Sequence, residues 1–111
     1  MSKSQRTKGA NAERECAKIL RDHGINARRG QVFNHEEDIV TDLPLHIECK
    51  RQEVTKIHEW MKQSTEQCRG KIPTVVHRRS REDWLITMKF EDFLNIISCG
   101  NAERNETNEM D

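Results

Sequence analysis

The chain is short of apolar material. Hydrophobic residues make up 33% of its 111 positions against 34% charged, tyrosine is absent, and proline occurs only twice. So little apolar content excludes a large core, and the length suits one small α/β domain with a thin core. No apolar run approaches the length that spans a bilayer, and the opening Met1-Ser2-Lys3-Ser4-Gln5-Arg6 lacks the apolar centre of a signal peptide. The expected compartment is therefore cytoplasmic, with no membrane partner. The four cysteines, Cys16, Cys49, Cys68 and Cys99, are widely spaced and form no C-x-x-C pair, which argues against a zinc module. Cys16 and Cys49 fall on predicted apolar faces, where a reduced thiol acts as a small hydrophobe. There is no internal repeat. Trp60, Trp84, Phe90 and Phe93 read as core or interface anchors, not as stacking platforms.

Net charge is missing too. Nineteen basic residues match nineteen acidic ones, which argues against a simple basic nucleic-acid binder. The balance is uneven along the chain. From Asn101 onward Glu103, Glu106, Glu109 and Asp111 face only Arg104, and setting that segment aside leaves 18 basic and 15 acidic residues, a body of +3. Basic residues of that body are natural partners for phosphates. The expected organisation is a flexible basic arm over residues 1–8, a folded domain over 9–98 and an acidic disordered tail over 99–111.

What the chain does contain is a dense pattern from Glu36 to Lys50, Glu-Glu-Asp-Ile-Val-Thr-Asp-Leu-Pro-Leu-His-Ile-Glu-Cys-Lys. It reads as a β-hairpin turning at Asp42-Leu43-Pro44. A three-residue loop there pairs Thr41 with Leu45 and so sets Asp38 across from Glu48. Alternation puts Asp38, His46, Glu48 and Lys50 on one face, and Ile39, Leu45, Ile47 and Cys49 on the other. Two carboxylates directly opposed on a strand pair repel by roughly 0.2–1 kcal/mol when solvated, and by more as the site dries. A divalent cation relieves this, since Mg²⁺ favours hard oxygen ligands, accepts one or two carboxylates and keeps water or phosphate in its other positions. Lys50 beside such an ion is suited to orient a water or to stabilise developing negative charge. An isolated E-x-K in a chain this rich in Glu and Lys is usually a solvated pair. The register with Asp38 and the β-propensity of Leu45 to Cys49 set this one apart.

Around the hairpin, a helix is expected from Asn11 to His23, stopped by Gly24, with Ala12, Cys16, Ile19, Leu20 and His23 as its apolar stripe. Glu13 then looks inward, whereas Glu15 sits on the solvent side. Ile25 to Val32 suggests a strand with Arg28 and Arg29 on opposite faces, so that one of them reaches the acidic face or a phosphate. A loop from Phe33 to Glu37 brings Asn34 and His35 near the site. After Lys50, a helix from Lys56 to Arg69 carries Ile57, Trp60, Met61, Ser64 and Cys68 on one face, with Gln63 either solvated, its default, or approaching the site, and Gly70 as the stop. It is a crossover to a strand over Ile72 to Arg78, parallel to Leu45–Lys50, which makes the sheet mixed. Then come the basic turn Arg78-Arg79-Ser80-Arg81, a strand from Trp84 to Met88, and a short apolar helix from Phe90 to Ile97. Trp60, Met61, Phe93 and Ile97 exceed what so short a chain covers, which points to a homodimer.

These elements carry a family resemblance. Lys8-Gly9-Ala10-Asn11-Ala12-Glu13-Arg14-Glu15, then Asp38-Ile39, then Ile47-Glu48-Cys49-Lys50, in an αβββαβ order, resemble the PD-(D/E)XK nuclease superfamily, most closely its Holliday junction resolvase-like branch. The likeness spans about Lys8 to Ile97. It implies a restriction-endonuclease-like α/β fold with a mixed central sheet, and a metal-dependent endonuclease that hydrolyses DNA phosphodiesters at branched DNA such as four-way junctions, in recombination and repair. It also implies Mg²⁺, with Mn²⁺ as a substitute and no organic cofactor, and two-fold pairing of sites in a homodimer. Residue by residue, Glu13, Asp38 and Glu48 become the acidic metal-site residues and Lys50 the catalytic lysine. Arg14 and Arg28 or Arg29 become phosphate contacts, joined by Arg78, Arg79 and Arg81 of the basic turn. One position departs from the superfamily pattern: Glu37 stands where a proline usually precedes the aspartate, which bears on substrate shape more than on chemistry. A catalytically silent DNA-binding module of the same fold, a nuclease of flaps or other DNA structures, and a plain interaction domain fit the same pattern, and dependence on metal and DNA separates them.

Overall fold

A computed structural model describes residues 3–105 of the chain. The strand whose sequence alternates most sharply, β3 (Leu45–Arg51), lies in the middle of the sheet. Ile47 and Cys49 point to one side of it and join Ala12, Cys16, Ala17, Ala27 and Ile39 in the apolar core. His46, Glu48 and Lys50 therefore point to the other side. The remaining elements are α1 (Lys3–Asp22), β1 (Ala27–Arg29), a 3-10 turn at Val32–Asn34, β2 (Ile39–Thr41), α2 (Ile57–Gln67), β4 (Ile72–Arg78), β5 (Leu85–Met88) and α3 (Phe90–Asn105).

The five strands lie side by side in chain order. β3 and β4 run parallel, joined by α2 as the crossover, and every other neighbouring pair is antiparallel. This mixed α/β sheet agrees with the restriction-endonuclease-like fold expected from the sequence. Ile39 pairs with Ile47, the register that a three-residue turn at Asp42-Leu43-Pro44 requires. α1 covers the apolar face with Ala12, Cys16 and Ala17. α2 covers the ionic face: Trp60 packs on His77, the β4 partner of Lys50, with ring centroids 5.6 Å apart. Ser64 donates to the His46 carbonyl at 3.1 Å and accepts the Thr74 N–H at 3.1 Å.

Several element ends differ from the sequence expectation. α1 starts at Lys3, not at Asn11, so residues 3–8 of the expected arm have helical backbone; Lys3, Gln5, Arg6 and Lys8 are good helix formers and Gly9 meets no obstacle. Its stripe ends sooner, because the chain leaves the helix after Asp22 through Gly24 at φ 82°, with Ile25 N–H closing on the Leu20 carbonyl. Ile19, within the helix, is 39% exposed, and Ala17 lies in the core. β1 is short because Gly30 ends it: its N–H reaches the Asp38 carbonyl, and a Cβ there would collide with the Glu37 carbonyl oxygen. Trp60 is buried at 5% and is no surface anchor, whereas Phe93 and Ile97 are exposed on α3, which runs on to Asn105. Residues 1–2 of the expected arm and 106–111 of the expected tail lie outside the described residues.

Candidate active site

The hairpin register brings the acidic pair together. Asp38 stands just before β2, and its Oδ2 accepts the Cys49 N–H at 2.9 Å, so the pairing of the two strands itself fixes this carboxylate. Glu48 is 4% exposed, and Lys50 Nζ lies 3.9 Å from its Oε1. Burial pushes the Asp38 carboxyl above its usual range, and it pushes Glu48 the same way with the negative charge of Asp38 adding to the effect. On α1, Glu13 is half-buried and accepts a hydrogen bond from Arg29 Nε at 2.7 Å. Burial raises its pKa, against the pull of Arg29, and the charge of Asp38 raises it further. Glu13, Asp38, Glu48 and Lys50 are thus electrostatic neighbours supplied by α1, the start of β2, and β3.

A buried Glu48 and a half-buried Asp38, whose negative charge raises the proton affinity of Glu48, form a donor set that needs positive charge. Their hard oxygens fit a divalent cation of the Mg²⁺ kind, which is satisfied by one or two carboxylates plus water and phosphate. Among the described residues, no three His, Cys, Asp or Glu side chains are gathered closely enough to hold an ion by themselves. Asp38 and Glu48 are therefore the residues that would hold it, with Glu13 close by and tied to Arg29.

The structure adds residues for which the sequence suggested no role. His46 shares the face of Glu48, and its side chain is 4% exposed. Its Nδ1 lies 2.8 Å from Glu37 Oε2, and Lys71 Nζ donates to Glu37 Oε1 at 3.1 Å. Alternation already sets His46 beside Glu48, but nothing in local spacing links Lys71 to Glu37, 34 residues away.

The arginines separate into engaged and open ones. Arg28 forks onto Glu36 with two contacts of 2.9 Å, and this pairing, aided by the Gln31 N–H, brings the Glu36 pKa to about 2. Arg78 is tied to Glu15 at 3.0 Å and stacks 5.3 Å from the Trp84 ring centre; Trp84 Nε1 donates to the same carboxylate at 2.9 Å. Glu15, expected to face only solvent, thus anchors a clamp. Arg79 and Arg81 are exposed in the turn after β4, where Arg79 reaches its neighbour Glu82 at 3.5 Å, and Arg14 is exposed on α1 beside Asn11. Gln63 is half-buried on α2 and has no hydrogen bond to Asp38, Glu48 or Lys50 among the described residues. Asn34 and His35 are exposed in the turn that follows β1.

No curated protein and no solved structure matches the chain. A family model does: residues 4–108 match the family described as "Phage putative PDDEXK endonuclease". The match spans the helix of Glu13, the hairpin of Asp38, Glu48 and Lys50, and the crossover to β4, and PDDEXK nucleases generally use divalent metals. The chain therefore belongs to this PDDEXK endonuclease family, within the PD-(D/E)XK superfamily.

Proposed function

We propose that the chain is a divalent-cation-dependent endodeoxyribonuclease that cuts branched DNA, four-way junctions in particular, as a homodimer in recombination or repair. The observation that carries this reading is the crowding of half-buried Asp38 and buried Glu48, both with raised pKa, beside Lys50 at the mouth of one hairpin. Asp38, held by the Cys49 N–H, and Glu48 would bind Mg²⁺, or Mn²⁺ in its place, which when bound supplies Lewis-acid chemistry toward a phosphodiester. Lys50 directs its ammonium to where negative charge grows on the phosphate oxygens, in a setting dry enough to strengthen that attraction. Glu13 holds Arg29 at the edge of the site, and the exposed Arg79, Arg81 and Arg14 are suited to phosphates farther along the strand.

Exposed Leu85, Ile86, Phe93, Leu94 and Ile97 on β5 and α3 support the two-copy reading, since a helix this apolar is normally covered. The test is incubation of the purified protein with labelled four-way junction, flap, single-stranded and linear duplex DNA, each with Mg²⁺, Mn²⁺ or EDTA. Junction cleavage that EDTA abolishes is the expected result. Binding without cleavage under every condition would make the chain a silent DNA-binding module, and preference for flaps would move the substrate class. Sedimentation as a monomer at micromolar concentration, free and on junction DNA, would overturn the dimer.

A further inference from the structure

We infer that His46 is a positioning residue that holds the Glu48 carboxylate from the side opposite Lys50. The inference rests on the nuclease reading of this site. β3 sets His46 two residues before Glu48 and on the same face. One edge of the ring is fixed by a chain of contacts, Lys71 Nζ to Glu37 at 3.1 Å and Glu37 to His46 Nδ1 at 2.8 Å, which joins the loop before Asp38 to the start of β4. The other edge is different. Nε2 is buried without a hydrogen-bond partner and lies 3.5 Å from Glu48 Oε2.

A buried ring nitrogen left unengaged is rare in native proteins and demands a reason. Here the nearest group is the carboxylate of the candidate site, and a small movement of Glu48 completes the contact. Glu48 would then have Oε2 on His46 and Oε1 facing Lys50, just as Asp38 is fixed by the Cys49 N–H. Both carboxylates would meet an arriving cation and phosphate in a set orientation. Outer partners of this kind fix ligand geometry and tune affinity.

The two ring nitrogens are separable by substitution, because an Asn amide reaches about as far as Nδ1 and a Gln amide about as far as Nε2. His46→Asn keeps the link to Glu37 and loses Glu48; His46→Gln does the reverse. We expect His46→Asn to lower kcat and to weaken Mn²⁺ binding, measured by calorimetry without DNA, each by about 10- to 100-fold. KM for DNA should stay within about twofold, because ground-state binding of the substrate is untouched. His46→Gln should recover at least about tenfold of both losses over His46→Asn. Equal behaviour of the two variants, or a better Asn than Gln, would overturn the inference and leave His46 as a packing residue tied to Glu37.

Thermal unfolding of each variant accompanies these measurements. If neither His46 variant folds, half-buried Glu37→Ala decides: it removes the acceptor that anchors the ring's Nδ1 edge and should weaken Mn²⁺ binding by about tenfold, and unchanged affinity overturns the inference. Wild-type protein that neither cleaves DNA nor binds Mn²⁺ would strike the nuclease reading itself, and this inference with it.

Discussion

On one side of β3, Ile47 and Cys49 are sealed against Ala12, Cys16 and Ala17 of α1; on the other, His46 and Glu48 are just as dry, at 3% and 4% exposure, yet carry ionisable groups. Burial of the first side stabilises the fold at roughly 25 cal/mol per Å² of apolar surface. Burial of the second works in the opposite direction. A carboxyl whose pKa is raised on folding takes up protons more readily folded than unfolded, so its ionised form at neutral pH counts against the native state. Equal dryness on one strand thus has opposite thermodynamic signs. Burial that costs stability persists where it serves chemistry.

Neutralising the ionic face should break the comparison most visibly. Asp38→Asn and Glu48→Gln are each expected to lower single-turnover cleavage by about 10³-fold or more. Both amides keep an oxygen acceptor, so the Cys49 N–H retains a partner and the melting temperature should rise. DNA binding should hold or tighten, as one charge that repels phosphate is gone. Mg²⁺ should raise the melting temperature of the wild type but not of these variants. A variant that loses stability along with activity would show that the carboxylates hold the fold together and that the two faces do not differ in kind.

The apolar face should respond the other way. Ile47→Ala, at 2% exposure, is expected to cost about 3 kcal/mol in denaturant unfolding. Its effect on kcat at temperatures where the variant remains folded should be small by comparison. Gly30→Ala falls between the two cases. A methyl there collides with the Glu37 carbonyl oxygen and must displace the segment that carries Asp38, and a misplacement of that kind costs about 10²-fold in rate. Cleavage assays paired with a melting curve distinguish this from plain unfolding.

The sequence revealed the contrast between the faces because it depends on short-range rules. A turn at Asp42-Leu43-Pro44 fixes the pairing of Ile39 with Ile47, and a period of two assigns every side chain of β3 to its face. The parallel pairing of β3 with β4 follows from the length of the α2 crossover in the same way. What lies over each face was less legible. The apolar pattern set Trp60, Met61, Phe93 and Ile97 together as residues the chain leaves uncovered, which holds for Phe93 and Ile97, but it did not reveal that Trp60 would close on His77. The Lys71–Glu37–His46 chain and the Arg78–Glu15 clamp join positions 34 and 63 residues apart, and only the completed sheet brings them together. The early end of β1 depends on Gly30 meeting the Glu37 backbone, a tertiary contact with no local signature.

The smallest expected effects test whether the contrast extends to the cations at the sheet's end. Arg78 belongs to the apolar side: it reaches α1 through Glu15 and stacks on Trp84, which packs against the core. Its side chain is 13% exposed, so Arg78→Ala should lower stability by about 1 kcal/mol, through a partly buried ion pair and a cation–π contact. Arg79 and Arg81 are exposed and lie outside this clamp. Their joint replacement by Ala should leave the melting temperature nearly unchanged. It should instead flatten the slope of log affinity for DNA against log salt by about two units, one for each lost phosphate contact. If Arg78→Ala flattens the slope as much as losing one of these two, the Arg78 guanidinium leaves Glu15 for a phosphate when DNA binds. An unchanged slope in the double variant would move the DNA path away from this turn.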